Sequence, residues 1–442
     1  MRLLLILFAA LALGSCGNGP DRTELVIQRF FGECGAVFGS STDVAAADSE
    51  CGILTTLINR FEAENPDIRL RINLVAWPGY PQLAAQIAAG DAPDLVTMHQ
   101  SVISDYQGRG LLQPMDGLLR QAGVGPETFT LAARRGVTKA GQTFGLPWDT
   151  IGRLWHINTR LMAQAGLMRD GRPVLPTSPE EMLEHARRFR AATGKPYLIQ
   201  AQVNAPDFHV GNLYTYLLAQ DAVIFPDDRH IRLNTPEARR IIELFRTMNA
   251  EGLTTQNQDF PAATAAFING GGGIFPTGTW MIGPYDTEAQ TAGRPLHQSY
   301  AVLPFPRLWG HDAAFVDGHA WVMPRGEQTP AERAAIVRFL RFLATHNFEW
   351  TRTGHLPAFQ AILDTPAFRG LRYRTDIAAM AATGAQLPDY VQRQSAIQGL
   401  IGEELEGAVA GIEPIDHALA DAERRVNELL AQMMPREAFE GD

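Results

Sequence analysis

The residues of this chain best suited to chemistry concentrate in one stretch, residues 145–158, GLPWDTIGRLWHIN. Gly145-Leu146-Pro147 is turn-prone, Trp148 and Asp149 pair an aromatic face with a carboxylate, and Leu154-Trp155-His156-Ile157 is an apolar-aromatic run. A strand leaving a proline-led loop reads this way. Such a pair suits reversible recognition of a polar, ring-shaped ligand: the ring stacks and the carboxylate accepts hydroxyl protons. The same residues also fit a buried strand with core tryptophans, and the stretch alone leaves both readings open.

Other chemistries find less support. The glycines at 270–273 lack the Gly-Lys-Ser/Thr of a phosphate loop and the spacing of a dinucleotide fingerprint, which leaves a tight backbone approach at a strand end. The histidines form no His-Glu-x-x-His, and His311 and His319 lie eight apart on an expected loop, so no metal site is expected. No Gly-x-Ser-x-Gly elbow occurs. A glycosidase needs two facing carboxylates, and no motif supplies Asp149 with a partner. None of these motifs calls for a cofactor or a catalytic group.

These side chains must be held by something large. The 442 residues, 45% of them hydrophobic, suffice for two lobes with a core each. A net charge of −10 argues against nucleic acid as a partner. The N-terminus places Arg2 before an apolar run, residues 3–13, too short to span a bilayer, so residues 1–15 read as a signal peptide. Leu13-Gly14-Ser15-Cys16 resembles a bacterial lipobox, in which Cys16 is lipidated and becomes the mature N-terminus. The remaining Cys34 and Cys51, an isolated pair in an exported chain, are expected as a disulfide.

Periodicity supplies the scaffold. Residues 24–31 read as a first strand, 52–65 as a helix with Ile53, Leu54, Leu57, Ile58 and Phe61 on one face, 68–76 as an alternating strand, 80–89 as a helix and 95–98 as a short buried strand. This order argues for an α/β lobe. Helices are expected at 178–192, 208–220, 235–251, 329–345 and 416–432.

Several motifs now coincide. Phe61-Glu62-x-Glu64-Asn65-Pro66-Asp67, then Trp77 and Tyr80, Gly90-Asp91-Ala92-Pro93-Asp94 and Gly110-Leu111-Leu112-Gln113-Pro114-Met115 precede the Gly-Leu-Pro stretch and its Asn158-led helix ending in Ala165-Gly166-Leu167. Gly278-Thr279-Trp280, YAVLPFP at 300–306 and Gly354-His355-Leu356-Pro357 follow. In order and spacing, from about residue 24 to 434, the chain resembles the extracellular solute-binding proteins of ABC importers, in the maltose-binding-protein-like branch (family 1).

The resemblance implies a two-lobe periplasmic-binding-protein fold of type II, mixed sheets flanked by helices, with a hinge crossed two or three times. After a lipidated linker at 16–23, it places lobe 1 at 24–150 and 303–345 and lobe 2 at 151–302 and 346–436. It implies a carbohydrate, a mono- or oligosaccharide or a sugar derivative, held in the cleft and delivered to the transmembrane subunits of an ABC permease. The expected protein is a periplasmic or cell-envelope monomer that meets the membrane through its lipid anchor only. A charged solute (a glycerophosphodiester or polyamine) on the same fold is the alternative, and a secreted glycan-degrading enzyme the remote one. The expected ligand contacts are Glu33, Trp77, Tyr80, His99, Gln100, Trp148, Asp149, Asn204, Trp280, Gly318, His319 and Trp321. The loop at 32–48, bounded by Cys34 and Cys51, is longer than the family pattern and is expected at the cleft mouth.

Overall fold

A computed structural model describes residues 22–432; the expected signal peptide, Cys16 and the last residues of lobe 2 lie outside them. The chain opens with β1 (Thr23–Arg29), α1 (Glu50–Glu64), β2 (Ile68–Leu74), α2 (Tyr80–Ala89), β3 (Leu95–His99), α3 (Gln100–Gly108), α4 (Leu131–Val137) and β4 (Gly145–Pro147). Local chemistry explains the boundaries. The Ser49 side chain accepts from the Gly52 amide and caps α1, and Asn65-Pro66 stops it. In β2 the first four residues alternate buried and exposed, as IRLR demands of a strand with one wet face.

The long strand β5 (Asp149–Asn158) follows, then α5 (Pro206–Leu218), β6 (Ile274–Gly278), β7 (Tyr300–Leu303), β8 (Val316–Asp317) and β9 (His319–Val322). The last elements used below are α6 (Pro330–Thr345), β10 (Leu356–Pro357), α7 (Met380–Thr383), α8 (Gln394–Ala410) and α9 (Ile415–Ala431). α6 begins with a complete capping box, Thr329 and Glu332 each bonding the other's backbone amide.

Two sheets organise the molecule. The first has the order β2-β1-β3-β9-β4, with β1 parallel to β2 and β3, and β9 antiparallel to β3 and β4. The second is antiparallel, β6-β5-β7. β5 joins them: its first residues lie beside the first sheet and pair with β8 and β10, while its later residues form the middle of the second sheet. Three chain segments therefore cross between the lobes, near Asp149, near Asp317 and near Leu356.

The apolar core around the first sheet takes residues from Leu25 to Trp148 and from Ala320 to Phe359. The second sheet is covered by two clusters drawn mainly from later residues up to Leu430. The return to lobe 1 was expected at 303 and the final departure at 346; both come later. Residues 300–303 bury alternate side chains and pair with β5, so the chain stays in lobe 2 until β8. Trp350, Ala358 and Phe359 are buried in the first core, so the chain still serves lobe 1 after 346, while Leu356 between them packs with the second-sheet residues at the crossing.

Candidate ligand-binding site

At the carboxyl end of β3 in lobe 1, the His99 amide donates to the Tyr80 hydroxyl at 2.9 Å, and that oxygen lies 2.6 Å from His99 Nδ1. Burial, and secondarily the charge of His319, hold the His99 imidazole well below its ordinary value, and burial pushes the Tyr80 phenol up. A neutral phenol donating to a neutral imidazole places the ring proton on His99 Nε2. Phe30 stacks on His99 with centroids 5.4 Å apart, and Trp77 meets its edge at 5.8 Å. Trp77 is 70% exposed, which makes it a ring without a core to serve.

At the carboxyl end of β6 in lobe 2, Trp280 folds back over Gly278. A Cβ at that glycine would lie 1.9 Å from the Trp280 ring, so the indole needs a glycine there. Gly278 pairs in register with Arg153, which puts ring and guanidinium on one face of the sheet. The guanidinium carbon lies 4.0 Å from the centre of the Phe208 ring, and Nη2 donates to the Asp207 carboxylate at 2.7 Å and to its carbonyl. Burial lowers the Arg153 pKa, with Asp207 opposing. Its Nη1 is buried without a hydrogen-bond partner.

Ligands of open α/β sheets bind outside the carboxyl ends of strands, where both of these groups sit. A family comparison agrees: the profile of the bacterial extracellular solute-binding proteins matches residues 56–369. This chain belongs to that family.

Known relatives support the assignment from two directions. The solute-binding protein is 28% identical over 197 residues to a binding protein of Brucella abortus (strain 2308), covering 44% of this chain and 46% of that one. It is 23% identical over 222 residues to YcjN of Escherichia coli (strain K12), named as an ABC transporter periplasmic-binding protein, covering 49% and 50%. The chain thus spans about half the length of the curated relatives it matches. Among solved structures, the sugar-binding protein MalE of Xanthomonas citri superposes with a TM-score of 0.77 at 17% identity, covering 95% of this chain and all of that one. The cyclic alpha-maltosyl-1,6-maltose binding protein of Arthrobacter globiformis gives 0.73 at 19% identity, covering 93% and 100%. At such identities these matches speak for the two-lobe fold.

Between the two aromatic groups lies the hinge of the solute-binding protein, built around Asp149. This fully buried carboxylate accepts from the His319 amide at 2.7 Å, from His319 Nδ1 at 2.8 Å and from Trp350 Nε1 at 2.7 Å. Burial would raise its pKa, but the imidazoles of His319 and His355 and the two side-chain donors outweigh burial and hold it at about 2. Burial likewise works against the charged His319 imidazole, and the Asp149 carboxylate overcomes it and raises the pKa above the ordinary value. His355 Nδ1 stands 3.6 Å from the same carboxylate, and its Nε2 is 2.6 Å from Glu50. Asp149, His319 and His355 offer ligand atoms within 4.8 Å of one another, the spacing of a metal site. With both Asp149 oxygens accepting and His319 Nδ1 used on them, the group acts as a hydrogen-bonded anchor holding the three crossings together.

The expected contacts therefore separate. Trp148 and Trp321 are fully buried, edge to face at 6.2 Å within the lobe 1 core, and present no surface for stacking. Gln100 is fully buried too: Nε2 donates to the carbonyls of Asp149 and His319, and Oε1 accepts from Gln386. Gly318 serves the same packing, since a Cβ there would lie 2.4 Å from the Asp149 carbonyl. Asp149 itself is sealed in the hinge, as is most of His319. The side chains of Trp148, Trp321, Gln100 and Asp149 are turned into the protein interior.

Glu33 is exposed and its carboxylate accepts from the nearby Gly35 amide. The Cys34–Cys51 disulfide is present, with Cα atoms 5.6 Å apart. Arg352 reaches from near the third crossing to the carbonyls of Val44 and Ala45 and so pins the disulfide-bounded loop. Asn204 is exposed, with φ of 53°, just before α5. Of the exposed or half-buried expected contacts, Trp77, Tyr80 and His99 gather at the carboxyl end of β3 and Trp280 at that of β6, while Glu33 and Asn204 lie on loops apart from them. Arg153 went unnoticed in the sequence; it is the only charge besides Asp149 in the run DTIGRLWHIN, and that isolation was the available signal.

Proposed function

We propose that this solute-binding protein captures a carbohydrate between its lobes and hands it to the permease of an ABC importer. The observation that carries the reading is the placement of two tryptophans that keep part of their surface uncovered, exposed Trp77 beside His99 and half-buried Trp280 on the sheet face of Arg153, each at the carboxyl end of a strand in a different lobe. An indole face covers the C–H face of a sugar, while the His99 Nε2 proton and the Arg153 guanidinium answer its hydroxyls. Binding groups on both lobes favour the closed form by the ligand's differential affinity for it, with no bond made or broken. Two of the structural relatives, a sugar-binding protein and a cyclic alpha-maltosyl-1,6-maltose binding protein, support the same class. The protein would work outside the cytoplasmic membrane as a monomer, tethered through lipidated Cys16.

A second reading has its own support. The buried Arg153 with an unpartnered Nη1 favours a solute that carries an anionic group, a uronate or phosphodiester among them. One experiment separates the two. Thermal unfolding of the protein with neutral mono-, di- and trisaccharides, with acidic sugars and with glycerophosphodiesters should show stabilisation of roughly 2.7 kcal/mol at about 100 times the dissociation constant. Neutral-sugar hits sustain the first reading, and hits confined to anionic solutes replace it with the second. Calorimetry of Trp280→Ala with the best hit should show at least tenfold weaker binding; unchanged affinity would remove Trp280 from the site.

A further inference from the structure

The crossings have a second face. Alternation along β5 sends Arg153 to the side that carries Trp280, and Gly152 to the other, where a Cβ would meet Met380 of α7. At the end of β3, His99 turns towards Tyr80 and Trp77, whereas Gln100 turns towards Gln386 and Gly136. On this far side of the hinge a cavity of about 390 Å³ opens between α4 and the strand residues Thr138 and Lys139 of lobe 1 and residues 385–389 of the second lobe. That volume falls within the range of small-molecule sites, roughly 300–1,000 Å³.

The walls belong to both lobes. Ala385 exchanges backbone hydrogen bonds with the second crossing, donating to the Ala314 carbonyl and accepting from the Val316 amide. Gln386 donates to Gln100, and the Ser104 hydroxyl donates to the Asp389 carbonyl. The lining is cationic: Arg134, Arg135 and Lys139 against the single carboxylate of Asp389. Both arginines are exposed, and the Lys139 amine lies 3.5 Å from the Arg135 carbonyl. Thr138 lines the same space with a buried hydroxyl that has no hydrogen-bond partner.

We propose that this cavity binds a small polyvalent oxyanion, of the pyrophosphate or tricarboxylate kind, and that the anion braces one interlobe angle. Two guanidinium forks match several acidic oxygens at once, and the Thr138 hydroxyl gains the partner it lacks. Because lobe 1 supplies the cations and residues 385–389 the opposite wall, an occupant favours the interlobe angle that keeps both in reach. By linkage it then shifts affinity in the solute cleft without touching it. The site is independent of the sugar reading, since the cleft and the cavity share none of the residues named.

The test is calorimetric titration of the protein with pyrophosphate, and separately citrate, at fixed ionic strength, with X-ray scattering at saturation. Saturable one-to-one binding by wild type and at least tenfold weaker binding by the Arg134→Ala/Arg135→Ala variant are expected. Both arginines are exposed, so the variant should unfold at the wild-type temperature in chloride alone. Thr138→Val, which leaves every charge in place, should weaken binding severalfold. No binding by wild type, or equal binding by the arginine variant, overturns the site. An unchanged radius of gyration at saturation overturns the bracing. None of these readouts requires a sugar, so failure here and failure of the carbohydrate reading are distinguishable.

Discussion

Replacing Asp149 by asparagine probes the hinge directly. The carboxylate is fully buried, and its loss leaves the His319 amide, His319 Nδ1 and Trp350 Nε1 with a weaker acceptor of the same size. A carboxylate held at about 2 rather than its ordinary 3.9 or so contributes on the order of 2–3 kcal/mol at neutral pH. The raised His319 pKa reports the same contact and is not counted again. Asp149→Asn should therefore cost about 2–3 kcal/mol, and Asp149→Ala more, about 3–5 kcal/mol, because a buried partner is left alone. The pH dependence follows from the signs. The Asp149 contribution is present above about pH 4 and is lost as pH falls towards 2. The His319 contribution is fully present below about pH 6.5 and is lost as pH rises through its elevated pKa. Urea unfolding at pH 5, 7 and 9 is the assay. Wild type should lose stability between pH 7 and 9 through this pair, and Asp149→Asn should lose less over the same interval. A cost within about 0.5 kcal/mol at pH 7, or an unaltered pH dependence, would refute the anchor reasoning.

Other outcomes follow from the same structure. Trp148→Ala or Trp321→Ala should destabilise by about 3–5 kcal/mol, as truncation of a fully buried aromatic does, while any folded protein keeps its ligand affinity; calorimetry beside denaturation separates the effects. Cys34→Ser/Cys51→Ser opens a loop with a sequence separation of 17 and should cost roughly 3 kcal/mol, read as a lower denaturation midpoint that matches reduced wild type. Gly318→Ala drives a Cβ into the Asp149 carbonyl and should lower stability, whereas Gly117→Ala, with open space around it, should not. Gln100→Leu removes the donor to two buried carbonyls and the link to Gln386, and should cost about 2–4 kcal/mol.

Much of the scaffold was legible because it is local. α2 occupies the residues expected of it, and β1, α1, β2 and β3 lie within about two residues of expectation. α3 and α8, and the short strands β8 and β10, were not read. α8 packs against α5, α9 and the helix Pro236–Ala250, and its buried positions Ile397, Ile401, Leu405, Ala408 and Val409 recur at helical spacing, a stripe that could have been read. β8 and β10 are two residues each and exist only because β5 offers them a partner.

The sequence by itself determined the class of lobe, the order of most strands and helices, and the disulfide pair. The first two follow from periodicity, capping and motif spacing, which act over a few residues, and the pair from two cysteines left over in a chain read as exported. Only the tertiary structure decided which strand-end side chains face the cleft. Trp148, Asp149 and Trp280 are alike on paper, an aromatic or acid after a glycine-containing turn. Trp148 meets Trp321 and Trp350 and becomes core; Asp149 meets two histidines and a tryptophan brought from beyond residue 318 and becomes the hinge; Trp280 folds over Gly278 at the edge of the second-lobe core and stays half-buried. Burial is a property of neighbours, and these neighbours come from crossings more than a hundred residues apart in the chain, a separation no local pattern can read.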